Sequence, residues 1–171
     1  MSAPYWPDNW PVTLQFVAGV KAHDKLIQMY SHGWPTHVDV VWPPNAPGNP
    51  ERLYGARLNG GCAIRQLDYE TFGQVARVTL PMTDEQKAKF FAFCIAQMGK
   101  PYDDIDIVSM AVPVVRRIWR DNPNAWYCSE LTEAAVEESG FWRPIATATN
   151  MVTPTLQFNI ASAFAEVVYV R

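Results

Sequence analysis

Short runs of strand-forming residues crowd the first half of the chain, most of them closed by glycine, proline or asparagine. This confines the chain to folds built on an antiparallel sheet. Val12 to Val17 sets Val12, Leu14 and Phe16 against Thr13 and Gln15. His37 to Trp42 reads as a strand of mostly buried type. Arg52 to Leu58 and Cys62 to Leu67 flank Asn59-Gly60-Gly61, a hairpin signal because Asn-Gly and Gly-Gly tolerate positive φ. Gln74 to Leu80 follows, and Pro81 stops it. Between the second and third runs, four of the eight residues from Pro43 to Pro50 are proline. A segment so short of N–H donors cannot pair in a ladder and must be a loop.

Helices come between and after these runs. Asp24 is placed to cap Lys25 to Ser31, with Leu26, Ile27 and Tyr30 on one side. Thr83 and Gln86 form a capping box ahead of Phe91, Ile95 and Met98, and Gly99 ends that helix. Ile105 to Trp119 reads as helical with a break at Pro113, and Asp121 to Asn124 as a turn. Tyr127 to Ser139 is predicted to be a helix with Leu131, Ala134 and Ala135 inward, Glu133, Glu137 and Glu138 outward, and Gly140 as its cap. Thr153-Pro154 opens one more short helix, and Val167 to Val170 closes the sheet. The pattern predicts an α+β fold with an antiparallel sheet, in one domain spanning 1–171.

Composition excludes several functions. The chain has 171 residues, is 49% apolar and 18% charged, and carries a net charge of −3. It is large enough for a hydrophobic core and has no general attraction for nucleic acid or anionic lipid. Arg116, Arg117 and Arg120 read as a solvated helix face rather than an RNA site. Met1 to Pro11 lacks the basic start and apolar run of a signal peptide, and no apolar run reaches the ~20 residues of a membrane span. Three cysteines, Cys62, Cys94 and Cys128, do not make a disulfide framework. A reducing, cytoplasmic setting is expected.

The chemistry centres on Trp126 to Leu131. Cys128 stands in the first turn of its helix, and the thiolate is the nucleophilic form of cysteine. At an ordinary pKa of about 8.5, only about 3% is ionised at neutral pH. Lowering that value to about 5 takes about 5 kcal/mol, whereas a helix N-terminus typically supplies ~0.3–1 kcal/mol. An imidazolium is therefore required. His37 is the best candidate because a strand holds its ring, while His23 and His32 fall in predicted loops. Period-two alternation puts Asp39 on the face of His37, ~7 Å along the strand. Cys94 reads as core and Cys62 as structural. A lone cysteine at a helix start is more often a packed residue than a nucleophile. Ser129 lacks the G-x-S-x-G elbow of serine hydrolases. No CxxC or HxxxH spacing supports zinc, so neither a metal nor a cofactor is expected.

The order of these motifs resembles the circularly permuted branch of the NlpC-like, papain-fold cysteine peptidases and amidases. The matching pieces are Val12 to Val17, Leu26-Ile27, Thr36-His37-Val38-Asp39, Tyr54-Gly55-Ala56-Arg57 with Gly60-Gly61, Gly99-Lys100-Pro101-Tyr102-Asp103, and Tyr127-Cys128-Ser129-Glu130-Leu131. The resemblance covers roughly residues 12 to 140 and places the histidine before the cysteine. It implies a papain-like sheet packed against the cysteine helix. It also implies a thiol hydrolase cleaving amide or ester bonds in a cell-wall-type peptide, amino-acid conjugate or lipid. Cys128 is then the nucleophile and His37 the base. In many relatives the orienting residue sits on the next strand, where this chain has Gly55; Asp39 is the substitute by the same-face argument. Tyr127 and Tyr102 are expected to shape the cleft. Two alternatives stay open: an acyltransferase of the lecithin–retinol acyltransferase type, and a non-catalytic module of a phage-like assembly.

Overall fold

The computed structural model describes residues 10–20, 22–46, 48–103, 124–142 and 151–170. The expected helix over 105–119, most of the 121–124 turn, the Arg116–Arg120 patch and the reading of the first residues lie outside them. Strands β1 (Val12–Ala18), β2 (His37–Trp42), β3 (Arg52–Arg57), β4 (Gly61–Gln66), β5 (Gln74–Leu80) and β6 (Val167–Tyr169) form one sheet. Its order is β4-β3-β2-β1-β5-β6, and every neighbouring pair is antiparallel. Helix α1 (Ala22–Ser31) joins β1 to β2, α2 (Asp84–Ala96) follows β5, and α3 (Cys128–Ser139) and α4 (Pro154–Phe164) precede β6.

Local chemistry explains most boundaries. The turn at Gly60 and Gly61 takes φ of 97° and 57°, the region that favours glycine. Thr83 accepts from the Gln86 N–H while the Gln86 side chain accepts from the Thr83 N–H, completing the capping box. Gly140 ends α3 with φ 72°. Helix α1 starts earlier than expected, so Asp24 lies in its first turn, where the helix dipole favours a carboxylate, and not at the cap.

One face of the sheet carries Leu14, Phe16, Val38, Val40, Tyr54, Ala56 and Val78 against Phe90 and Cys94 of α2, Leu131, Ala135 and Val136 of α3, and Ala161 of α4. The other face holds a small cluster of Val17, Phe72 and Val75, with Tyr69 packed on it. All six residues of β2 are buried, which accounts for its near-continuous apolar run. The outward assignment of Glu133 is corrected: the residue is fully buried. Trp142 Nε1 and Gln157 Nε2 donate to its two carboxylate oxygens at 2.8 and 2.9 Å. The papain-like expectation is corrected as well. A wholly antiparallel six-stranded sheet dominates, with four helices among the described residues.

Candidate active site

Thr36 fixes the backbone just before His37. Its N–H donates to the Val17 carbonyl at 2.9 Å, and its hydroxyl accepts from the Gly19 N–H at 2.8 Å. The alternation of β2 then sends His37 and Asp39 to the same side, and His37 Nε2 meets Asp39 Oδ1 at 2.8 Å. With Nε2 held, Nδ1 is the ring nitrogen left for a partner.

The partner is Cys128. The β2–β3 ladder runs from Trp42↔Arg52 to Val40↔Tyr54 and ends there, while Ala56 and Arg57 continue to pair with β4. The first turn of α3 sits where these two strands part. Helix α3 packs against both β2 and β3, which brings the Cys128 thiol within reach of the His37 ring and of the Val38 backbone amide.

The start of α3 is tied on every side. The Trp126 N–H donates to the Pro101 carbonyl at 3.2 Å, and the Asp103 N–H donates to the Trp126 carbonyl at 3.1 Å. The Tyr127 and Ser129 hydroxyls both donate to the Val152 carbonyl, at 3.0 and 2.6 Å. Glu130 caps the Tyr127 N–H at 3.3 Å.

The electrostatics follow from burial and charge together. Burial pushes the Cys128 thiol up, but the His37 charge and hydrogen bond, the Val38 amide and Arg57 outweigh it, so the thiol is held below its ordinary value. Burial and Arg57 push His37 down; Asp39 and Cys128 outweigh them, and the imidazole is held above its ordinary value. Burial opposes the charge of Asp39, yet His37, Arg57 and the Tyr69 hydroxyl hold its carboxyl far below the usual range. The other two thiols move the opposite way: burial pushes Cys62 up to about 11 and Cys94 well above its ordinary value.

Three of the five sequence-predicted site residues, Cys128, His37 and Asp39, thus meet. Gly55 has a role that sequence reading missed: a Cβ there would overlap Asp39 Oδ1. The absent side chain is the space that the carboxylate occupies. Tyr127 does not line a cleft; it is 1% exposed, with its hydroxyl bonded to Val152. Tyr102 is half-buried and bridged to Trp126, so it braces the cysteine segment. Arg57 and Tyr69 were also missed. Arg57 lies two residues after Gly55 on β3, so period-two alternation points it to the same face, whereas nothing in the sequence marks Tyr69. No group of three or more His, Cys, Asp or Glu suited to a metal occurs among the described residues. None of their helices is long and apolar enough to cross a membrane.

No family model matches the chain, and no curated protein matches it. Among solved structures it is similar to the crystal structure of metalloprotein yiiX from Escherichia coli O157:H7, DUF1105. The TM-score is 0.59 at 15% identity, and the match covers 94% of this chain and 88% of that one. At this identity the likeness shows the fold alone. The expected membership of the permuted NlpC-like peptidases and amidases is corrected accordingly: no family model carries it, and the fold matched is that of this metalloprotein. The Tyr-Cys-Ser-Glu-Leu and His-Val-Asp segments specify a helix start and a strand, which is too little to assign a family.

Proposed function

We propose that this chain is a thiol hydrolase acting on an amide or ester bond in a small amino-acid-containing molecule. The observation that supports this reading is the chain of contacts from Asp39 to His37 to Cys128, with the thiol lowered and the imidazole raised. Opposite displacement of an acid and a base is what a resting thiolate–imidazolium pair requires. Cys128 as thiolate attacks the carbonyl carbon. The tetrahedral oxyanion faces the backbone N–H of Cys128, which at a helix start has no acceptor within its own helix. His37 gives its Nδ1 proton to the leaving amine or alcohol as that bond breaks, leaving a thioester. Neutral His37 then takes a proton from water. The resulting hydroxide equivalent displaces the thiolate and releases the carboxylic acid. Asp39 keeps the ring in the tautomer that serves both steps.

The test is turnover of a panel of amides, peptides and activated esters. Cys128→Ala is expected to abolish it with the melting temperature nearly unchanged. A chelator is expected to leave it intact, because no step calls on a metal. Equal turnover by Cys128→Ala ends the proposal. Trapping of the acyl-enzyme with added amines or alcohols, faster than with water, converts the reading to an acyltransferase. A Cys128 that alkylates with the pH midpoint of free cysteine leaves a non-catalytic module.

A further inference from the structure

Beside the pair stands a group that the mechanism does not use. Arg57 NH2 meets Asp39 Oδ2 at 3.3 Å and Arg57 NH1 meets Glu70 Oε2 at 3.0 Å. Its guanidinium lies 4.9 Å from the centre of the Tyr69 ring and 5.6 Å from that of Phe72. The Tyr69 hydroxyl donates to the same Asp39 Oδ2 at 2.7 Å. One carboxylate oxygen therefore faces the imidazole, and the other is gripped by a cation and a phenol. Arg57 Nε is buried and has no acceptor. A guanidinium taken largely out of water and left with an unsatisfied donor costs stability, so its placement calls for a return beyond packing.

Resting on the thiol-hydrolase reading, we infer that Arg57 is a positioning residue. It fixes Asp39 with Oδ1 toward His37 and sets the pH window in which Cys128 and His37 are both charged. Among the described residues, the charged and titratable groups around the pair are Asp39 on β2, Arg57 on β3 and Cys128 and His37 themselves; Tyr69 and Glu70 stand around Arg57. The sign is the same by both routes. A positive charge near the pair favours thiolate and disfavours imidazolium. By neutralising Asp39 it also weakens the attraction of that carboxylate for the imidazolium and its repulsion of the thiolate. Arg57 thus moves both limbs of the window toward lower pH. Glu70, paired with Arg57, tempers this, and Tyr69 supports the guanidinium from its ring face.

The experiment reads the acid limb from the rate of Cys128 alkylation by iodoacetamide against pH and both limbs from the pH profile of turnover, with the wild type and folded variants as shown by cooperative melting. Arg57→Met/Glu70→Gln leaves no unpaired Glu70, and both limbs are expected to move up in pH. The rate below the acid limb falls about tenfold for each unit that limb moves. Should this variant not fold, Glu70→Gln alone decides, with both limbs expected to move down. A folded double variant whose limbs coincide with those of the wild type overturns the inference, as does an unmoved window in Glu70→Gln when the double variant does not fold. A wild-type midpoint equal to that of free cysteine overturns the thiol-hydrolase reading instead. The two failures are therefore separable.

Discussion

At the scale of single residues, the site depends on one missing side chain. Asp39 can turn onto His37 because Gly55, across from it on β3, leaves the space empty. Gly55→Ala is therefore expected to act like an Asp39 variant although it adds only a methyl group. Asp39→Asn replaces an acceptor with an amide that can present N–H to the ring and so favours the wrong tautomer. Turnover is expected to fall by roughly 10²–10⁴-fold. Gly55→Ala should fall into the same range while Cys128 still alkylates once ionised at high pH. Turnover within twofold of wild type in Gly55→Ala would show that the carboxylate is not the orienting group. Asp39 also has a stability signature. Its folded pKa lies below its unfolded one, so the stabilisation is fully present above the unfolded value of about 3.9 and is lost as pH falls below it. Melting temperature against pH should drop through that acid range in the wild type and drop less steeply in Asp39→Asn.

At the scale of elements, helix α3 does two jobs that its sequence only half declares. The glycine stop, the inward Leu131 and the buried Ala135 were legible, because helical spacing and capping are local rules. The buried Glu133 was not. A carboxylate on a helix is ordinarily solvated, and the donors that satisfy this one, Trp142 and Gln157, come from a later turn and from α4. Burial pushes the Glu133 carboxyl up; those two donors pull it back only in part. Glu133→Ala would strip the acceptor from both donors inside the core and is expected to cost about 1–3 kcal/mol, read as a lower denaturation midpoint with an unchanged m-value. The strand runs were legible to within a residue or two for the same local reason. The same-face placement of His37 and Asp39 followed from alternation alone. What could not be read was anything set by the gap between β2 and β3. A ladder that stops at Val40↔Tyr54, freeing the Val38 amide for a sulfur, is a tertiary fact with no local signature.

At the scale of the molecule, the three thiols report on how the site is assembled. His37 and Cys128 are brought together only when β1, β2 and β3 are zipped and α3 is seated on their inner face, so the pair has no existence in a partly formed sheet. Cys62 on β4 and Cys94 on α2 belong to the same buried cluster as Cys128, yet their thiols are pushed up while that of Cys128 is held down. In the native protein at neutral pH, iodoacetamide is therefore expected to modify Cys128 alone, with Cys62 and Cys94 left intact in peptide mapping by mass spectrometry. As denaturant is added, Cys128 should slow toward the rate of an ordinary thiol while Cys62 and Cys94 become reactive. Because one continuous core holds all three, the loss and the two gains should share a single midpoint. Earlier loss of the fast Cys128 reaction, with Cys62 and Cys94 still protected, would mean that α3 lifts from the sheet as a separate unit. In that case the pairing of Cys128 with His37 is a property of helix docking and not of the fold as a whole.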